Sequence, residues 1–415
     1  MTMNLYKNKK ILILGGKPIG SVDIVRYAKS KGYYTIVCDY LAVENSPAKQ
    51  LADESWNYST ADIDLIVEKA KKEGIDAVFT GVHEFNIARC QEICEKLKLP
   101  FYVDKQTMLN AANKSYYKNI FAKFDIPLIP QYKIEDKKTF PILLKPVDGS
   151  GAYGLKICNS EEEFRENLPK ALEFSAKGEV LIEQYIKEKE EITTVYIIKD
   201  GIPYLASIAD RIVKYFDNSV IPLPIAYIWH SKYLDLYEKT IDVKMKKAIQ
   251  FMDLKNGMLF IQSIVKDNAI MPYDIGFRLS GTQEHVILEE MCGYNPLKLL
   301  VDYSLTSKFG DDELINKINP HFDGVAAQIT FLIKPCTISH YEGIEDVKKM
   351  NGVIRIIKNK QEGETIPKSA YGTLNQVALR VFIKSKNKGE LYDLKKQIRE
   401  IVKIYSINSE EVSVR

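Results

Sequence analysis

Cysteine is scarce in this chain, with 6 among 415 residues. The sequence contains no C-x-x-C pair and no cysteine–histidine spacing typical of a metal site. This scarcity excludes a small disulfide-stapled fold and favours a reduced, cytoplasmic protein. Cys90 and Cys94 are the only close pair, and they share helical spacing with Ile87 and Leu97. We therefore predict that both are core residues rather than ligands.

Long apolar runs and a charge excess are also missing. The longest early apolar run, residues 11–14, is too short for a membrane helix or a signal core, so we expect no membrane partner. The net charge is only +3, with acids and bases interspersed, which indicates no nucleic-acid partner. The composition is that of an ordinary globular protein, and the length suggests roughly two to four domains.

Strand and helix signals alternate over the first part of the chain. The strand-like runs lie at residues 11–14, 34–39 and 77–79, and the first of them is wholly apolar, which is typical of a parallel sheet covered on both faces. Alternation of this kind predicts an α/β fold with an open parallel sheet.

The loop after the first strand offers a dinucleotide-binding interpretation. Gly15, Gly16 and Gly20 follow that strand, and Asp39 ends the next one. However, Lys17 stands where the second glycine of the G-x-G-x-x-G pattern belongs, so a pyrophosphate would meet a side chain. An NAD-dependent enzyme that uses this domain remains an alternative.

A second glycine-rich loop follows an apolar strand that ends in a lysine. Lys145 ends the strand, and the loop contains Gly149, Ser150, Gly151 and Gly154. Glycines let the backbone bend around an anion, and a lysine on a rigid strand supplies a charge for phosphate oxygens. The loop lacks the full phosphate-loop pattern G-x-x-x-x-G-K-[ST], so the motifs around it decide its interpretation.

These motifs have a characteristic order. Lys114 comes first, the lysine and glycine loop follow, and Glu-x-Tyr-Ile stands at residues 183–186. An acid-x-x-x-Arg-x-x-Gly pattern at residues 274–281 comes last. This order resembles the ATP-grasp superfamily. Within it, the chain is similar to the carboxylate–amine or carboxylate–thiol ligases related to biotin carboxylase, carbamoyl-phosphate synthase and phosphoribosylglycinamide synthetase.

The resemblance implies a domain organisation. We expect a Rossmann-like domain, an ATP-grasp α+β domain pair with a lid at about 145–213, and a C-terminal α+β subdomain, at residues 1–110, 111–320 and 321–415. Loops of the first domain would line the substrate site, which makes Gly16, His83 and Glu84 candidate substrate contacts. Glu84 is equally well explained as a charge that complements a helix dipole.

The resemblance also implies a nucleotide site. Lys114 and Lys145 would reach the phosphates of ATP, and the glycine loop would cover them. A hinge would contact the adenine through its backbone, and it comprises Glu183, Gln184, Tyr185 and Ile186. Glu191 would contact the ribose, with Glu188 as the rival acid. Arg211 is a candidate for holding a substrate carboxylate or phosphate.

The acidic cluster departs from the family pattern. Family members have a glutamate where Gln262 stands, and Glu-x-Asn-x-Arg where this chain has Asp274, Gly276 and Arg278. Gln262 and Asp274 still offer oxygen ligands for Mg²⁺, or for Mn²⁺ as an alternative ion, whereas Gly276 offers none. Three further acids either compensate or are surface charges, namely Glu284, Glu289 and Glu290.

Catalytic roles fall on Arg278 and Lys145. The resemblance implies that Arg278 meets the transferring phosphoryl group or the acyl-phosphate oxyanion, because its fork is always charged and bidentate. Ser280 and Gly281 would follow as a tight turn with exposed N–H groups for the substrate.

The predicted function is that of an ATP- and Mg²⁺-dependent ligase. It would join a small-molecule carboxylate to an amine through an acyl phosphate, and a phosphoribosylglycinamide synthetase-like purine-pathway ligase is a specific form of this hypothesis. The altered acids motivate a different class, a non-catalytic ATP-binding regulatory protein. A homodimer is suggested by the resemblance alone.

Overall fold

A computed structural model describes residues 9–17, 19–147, 154–187, 189–216 and 222–414. The predicted phosphate-loop residues Gly149, Ser150 and Gly151, and the rival acid Glu188, lie outside these residues. Within the described ranges, none of the helices combines the length and the apolar character that crossing a bilayer requires.

The first described region is built on a parallel sheet of four strands in the order β3-β2-β1-β4. Its elements are β1 (Lys10–Leu14), α1 (Ser21–Ser30), β2 (Tyr34–Cys38), β3 (Glu54–Trp56), α2 (Ile63–Glu73), β4 (Ala77–Thr80), α3 (Glu84–Leu97) and α4 (Lys105–Ala112). Residues 11–14 are fully buried, which explains why the strand is apolar on both faces. Cys90 and Cys94 are buried in the core under this sheet, which confirms their prediction as core residues.

A smaller antiparallel sheet follows, with four strands among the described residues in the order β5-β8-β6-β7. The elements of this region are α5 (Lys114–Lys123), β5 (Gln131–Tyr132), β6 (Ile142–Pro146), β7 (Lys156–Cys158), α6 (Glu161–Glu173) and β8 (Val180–Gln184). Helix α6 covers the sheet, and Leu144, Phe164 and Ile182 belong to the separate core between them.

The rest of the described chain forms a large antiparallel sheet with helices. Its first elements are β9 (Glu190–Lys199), β10 (Ile202–Lys214), β11 (Leu223–Trp229), α7 (Leu234–Tyr237), a π-helical segment (Glu238–Asp242), α8 (Val243–Phe251), β12 (Gly257–Lys266), β13 (Ala269–Phe277), α9 (His285–Cys292), α10 (Pro296–Thr306) and α11 (Leu314–Lys317). The later elements are β14 (Val325–Ile333), β15 (Ile338–Glu342), α12 (Ile344–Lys348), β16 (Val353–Lys358), β17 (Val377–Ser385), α13 (Lys388–Ile401), β18 (Lys403–Ser406) and β19 (Ser413–Val414). The strand order is β13-β12-β9-β10-β11-β14-β17-β16, with β19 beside β14, while β15 and β18 pair separately.

Two predicted boundaries fall inside this large sheet. The predicted lid at 145–213 runs too far, because β9 and β10 pair with strands of the large sheet and the small sheet ends with β8. Beyond residue 320, β14, β17 and β16 extend the same large sheet, although this part also has its own core around Ile329, Leu379 and Ile398. Pairing between strands distant in sequence sets both boundaries, and local patterns do not reveal it.

The parallel-sheet region meets the large-sheet region at one half-buried carboxylate. Asp23 on α1 pairs with Arg355 on β16 and lies 3.6 Å from the Nε2 of His285 on α9. Burial by itself raises the pKa of Asp23, but His285 and Arg355 outweigh it and hold that pKa below its ordinary value. The parallel-sheet region is thereby tied to both halves of the large-sheet region.

Candidate active site

The lysine near the end of β6 belongs to a buried cluster of three charges. The Nζ of Lys145 lies 2.5 Å from Oε2 of Glu183, and Lys118 on α5 contacts the other oxygen of the same carboxylate. All three side chains are buried. Burial alone raises the pKa of Glu183, but the charges of Lys145 and Lys118 hold it below its ordinary value. Glu183 is thus an ionised group that fixes the position of Lys145.

Lys118 was not identified from the sequence. It follows Lys114, the first residue of α5, by four positions, so both side chains lie on one face of the helix. Burial lowers the pKa of Lys118, and Glu183 opposes this shift. The helical spacing from Lys114 is the signal that points to Lys118. The side-chain role of Glu183, across 65 residues, has no local signal.

The predicted hinge connects the small sheet to the large one. The N–H of Gln184 donates to the Pro130 carbonyl and that of Tyr185 to the Pro141 carbonyl, each at 2.9 Å. These bonds hold the segment against the small sheet, and Ile186 then lies half-buried in the loop between β8 and β9. The position suits a hinge, and the contact of this backbone with adenine remains a prediction.

Glu191 and Arg211, which the sequence assigned to different ligands, form a buried pair with each other. Glu191 also accepts a hydrogen bond from the hydroxyl of Tyr273 at 3.1 Å. Arg211 donates from all three side-chain nitrogens, to Glu191, Tyr227 and Pro222. The substrate role predicted for Arg211 would therefore require these contacts to be displaced, whereas the carboxylate of Glu191 has further lone pairs and its ribose role stays a prediction.

Asp274 and Gln262 face each other across the β12–β13 pair. Directly opposed side chains start about 5 Å apart, so a carboxylate and an amide oxygen lie together on one face of the sheet. Burial raises the pKa of Asp274, and Lys114, Lys145 and Arg278 oppose this shift. One carboxylate and one amide oxygen fit a single Mg²⁺ that takes its other ligands from phosphates and water.

At Gly276, the next position of the predicted metal cluster, an aromatic ring fills the space that a side chain would need. A Cβ on Gly276 would lie 2.3 Å from the ring of Phe260, the residue opposite it on β12. The guanidinium carbon of Arg278 lies 5.0 Å from the centre of the same ring, which is a cation–π contact. Phe260 therefore occupies the space that an asparagine side chain would need at position 276.

Arg278 bridges the large sheet and the parallel-sheet region. Its Nη2 lies 2.8 Å and its Nε 3.3 Å from Oε1 of Glu84, the first residue of α3. Glu84 therefore has the helix N-terminal position expected for a dipole-complementing charge, and it also holds Arg278 beside Asp274. A direct contact between Glu84 and substrate remains a prediction.

The three acids after Arg278 have different surroundings. Glu284 is 1% exposed and accepts a hydrogen bond from Ser280. Burial raises the pKa of Glu284. Glu289 and Glu290 pair with lysines on α10 and β17, and a compensating metal role for the three acids stays a prediction.

The other predicted site residues differ in their environment. Gly16 is buried and its N–H donates to Asp39 Oδ2 at 2.7 Å, so this N–H is already paired, and a substrate contact at Gly16 stays a prediction. His83 is exposed just before α3. Gly281 has open space on its Cβ side. Gly154 has φ +75°, a left-handed conformation that favours glycine, at the described end of the phosphate loop.

Charged side chains from separate parts of the chain converge on Asp274. The groups that act on its pKa are Lys114, Lys145, Glu84 and Arg278. They come from α5, the small sheet, the parallel-sheet region and the end of β13. Three cations thus act electrostatically on a site with two carboxylates, and this excess of positive charge attracts an anion rich in oxygen atoms, such as a polyphosphate.

Comparison with known proteins identifies the family. The family model described as D-ala D-ala ligase C-terminus, an ATP-grasp domain, matches residues 119–256. These residues therefore form an ATP-grasp domain. Among curated relatives, this ATP-grasp chain is 24% identical over 308 residues to the carbamoyl phosphate synthase large chain of Clostridium botulinum (strain Loch Maree / Type A3). That match covers 65% of this chain and 28% of the relative.

Solved structures share the fold of this ATP-grasp chain. An L-amino acid ligase from Bacillus licheniformis has a TM-score of 0.76 at 18% identity, covering 96% of this chain and 99% of that one. A biotin carboxylase domain dimer of the 2-oxoglutarate carboxylase from Hydrogenobacter thermophilus, solved with MgADP, has a TM-score of 0.77 at 18% identity, covering 95% and 90%. The chain spans about three tenths of the length of the first curated relatives it matches.

Proposed function

We propose that this ATP-grasp chain is an ATP- and Mg²⁺-dependent ligase that joins a small-molecule carboxylate to an amine through an acyl phosphate. The convergence of Lys114, Lys145 and Arg278 on Asp274 carries this proposal. The names of the structural neighbours support it, since they include an L-amino acid ligase and a biotin carboxylase bound to MgADP. A homodimer, as in that biotin carboxylase structure, is part of the proposal and is checked by sedimentation.

The lysines would hold the phosphates of ATP. Lys145 is fixed by Glu183, so its charge is already in place when the nucleotide arrives and needs little reorganisation. Lys114 would approach from the N-terminal end of α5, where helical N–H groups also favour an anion. The loop with Gly149, Ser150, Gly151 and Gly154 would cover the phosphates, while the segment from Gln184 to Ile186 and the acid Glu191 would contact adenine and ribose.

Asp274 and Gln262 would hold the metal ion. When bound, Mg²⁺, or Mn²⁺ in its place, neutralises charge on the phosphates and fixes their orientation. Arg278, held by Glu84, would stabilise the charge that develops on the transferred phosphoryl group and on the acyl oxygen. Substrate would lie beyond Arg278, near His83, Ser280 and Gly281.

Calorimetric binding of a non-hydrolysable ATP analogue, with and without Mg²⁺, tests the nucleotide and metal assignments. We expect Mg²⁺ to tighten binding to the wild type, and Asp274→Asn to remove that effect. Asp267→Asn, an exposed change in the turn of the same hairpin, is the matched control and should bind like the wild type. Absence of nucleotide binding by the wild type would overturn the proposal.

A non-catalytic ATP-binding protein is the second candidate, and the Phe260 ring above Gly276 favours it because it removes a family metal ligand. Release of ADP with panels of carboxylates and amines distinguishes the two, with glycine and phosphoribosylamine as one pair. Turnover with any pair supports the ligase. Nucleotide binding that ignores Mg²⁺, without ADP release, supports the regulatory protein.

A further inference from the structure

A buried arginine on β17 has no ionised partner in the part of the chain that the structure describes. Arg380 is 5% exposed. Its Nη1 donates to the carbonyl of Gly281 and lies 3.2 Å from Oε1 of Gln283, and both of these acceptors are neutral. Its buried Nε has no acceptor. Burial lowers the pKa of Arg380 to about 10, as expected for a guanidinium far from water and without an ion pair.

A second unpartnered atom lies in the loop that contacts Arg380. Glu284 accepts from Ser280 through Oε2, while its Oε1 is buried and has no hydrogen-bond partner. The charge of Glu284 acts on Arg380, although the two side chains form no ion pair among the described residues. Folded proteins seldom leave buried donors unpaired, so a missing acceptor from a ligand is a physical explanation for the unpaired Nε of Arg380.

The surroundings of Arg380 on the sheet are polar as well. Thr330 is its register partner on β14, and Gln328 lies on the same face two residues away. Both are buried, and Gln328 donates from its amide to the carbonyl of Thr282 at 3.3 Å. The groups that hydrogen-bond to Arg380, and its neighbours Thr330 and Gln328 on β14, are thus polar but uncharged.

Arg380 lies within reach of Arg278, the residue proposed to meet the transferred phosphoryl group. Gly281, which Arg380 contacts, follows Arg278 by three residues, and three extended residues span at most about 11 Å. A substrate of a few carbon atoms with a functional group at each end can therefore extend from Arg278 toward Arg380.

We propose that Arg380 and the loop at residues 280–284 bind a substrate carboxylate that the ligation does not consume. The planar fork of arginine matches a carboxylate with two parallel hydrogen bonds. This inference rests on the ligase function proposed above, in which the reacting carboxylate lies at Arg278. The second carboxylate belongs either to an amino acid that serves as the amine or to a dicarboxylic acid that is activated.

Binding to the wild-type chain tests this directly. Nucleotide binding is measured first with adenylyl imidodiphosphate and Mg²⁺, and its failure would count against the ligase function alone. Thermal shift and calorimetry then compare the standard amino acids with their amides, and succinate and glutarate with their diamides. We expect at least one acid to bind and its amide to bind at least about tenfold more weakly. If the acid that binds is an amino acid, the carboxylate belongs to the amine substrate. If it is a dicarboxylate, the carboxylate belongs to the acid that is activated.

Variants separate a binding role from a structural one. Arg380→Gln should weaken binding of that acid about tenfold or more, and raise its KM more than it lowers kcat, while nucleotide binding stays. Arg399→Gln is the matched control, because among the described residues Arg399 also donates only to carbonyls, those of Ile225 and Thr330, near the same sheet. Arg380→Lys, which keeps the charge, should recover part of the affinity.

Three results would overturn the proposal. These are nucleotide binding without binding of any acid in the panel, equal binding of an acid and its amide, and equal losses in Arg380→Gln and Arg399→Gln. If Arg380→Gln does not fold, the comparison of acid with amide on the wild type decides.

Discussion

Replacement of Glu183 by Gln removes the charge that lies between two buried lysines. The variant keeps the shape of the side chain but removes the carboxylate that contacts both Lys118 and Lys145. At the 2.5 Å between Lys145 Nζ and Glu183 Oε2, an effective dielectric constant of about 20 gives an attraction of about 7 kcal/mol. Desolvation offsets part of this, so we expect the free energy of unfolding to fall by about 3–5 kcal/mol.

Urea denaturation followed by circular dichroism measures this loss. Because the chain contains several sheets, the midpoint of each transition is compared rather than one global value. Glu166→Gln is the matched control: it breaks an exposed pair with Lys170 at 2.8 Å, and surface pairs contribute little. If Glu183→Gln shifts the midpoints no more than Glu166→Gln does, the buried charge cluster does not stabilise the fold as argued here.

The same variant has a defined pH dependence. The pKa of Glu183 is lowered in the folded chain, so its contribution is present at neutral pH and is lost as the pH falls through the folded pKa. The stability difference between wild type and Glu183→Gln should therefore be full near about pH 7 and shrink below about pH 4. A difference that stays constant down to about pH 3 would contradict the assignment of an ionised Glu183.

Three further predictions concern packing, thiols and the junction between regions. Gly276→Ala places a methyl group 2.3 Å from the ring of Phe260, so thermal unfolding should show a destabilisation of about 1–3 kcal/mol that Phe260→Leu partly relieves; a neutral Gly276→Ala would contradict this contact. Cys292 and Cys336 are half-buried while the other four cysteines are buried, so a thiol reagent should label these two first in native protein, as counted by mass spectrometry; early labelling of a third cysteine would argue against the packing. Asp23→Asn should lower the melting temperature near neutral pH, with wild type and variant converging as the pH falls through the lowered pKa of Asp23; a difference that is independent of pH would show that the charge of Asp23 is not what matters.

Features with a local signal were predictable from the sequence. The apolar run at residues 11–14 forms a buried strand, and Lys145 lies near the end of one. The buried positions of Cys90 and Cys94 followed from helical spacing. The order of short motifs was enough to recognise the ATP-grasp superfamily, and the family match confirms it. Each of these signals lies within a short stretch of the chain, or, for the superfamily, in the order of several such stretches.

The contacts that build the candidate site are not local. Arg278 meets Glu84 across 194 residues, and Arg380 meets Gly281 across 99. The chain has 58 basic and 55 acidic side chains, so composition cannot indicate which of them pair. Strand order decides the pairing, and that order depends on hydrogen bonds formed only when distant strands come together.

At Gly276, what the sequence determined can be separated from what only the tertiary structure decided. The sequence by itself determined that a family metal ligand is missing there and that Asp274 and Gln262 remain. Only the tertiary structure showed that the ring of Phe260 fills the space and that Glu183 fixes Lys145. The physical reason is that residue identity sets which chemistry a side chain offers, whereas close packing between separate strands sets where it acts and what it touches.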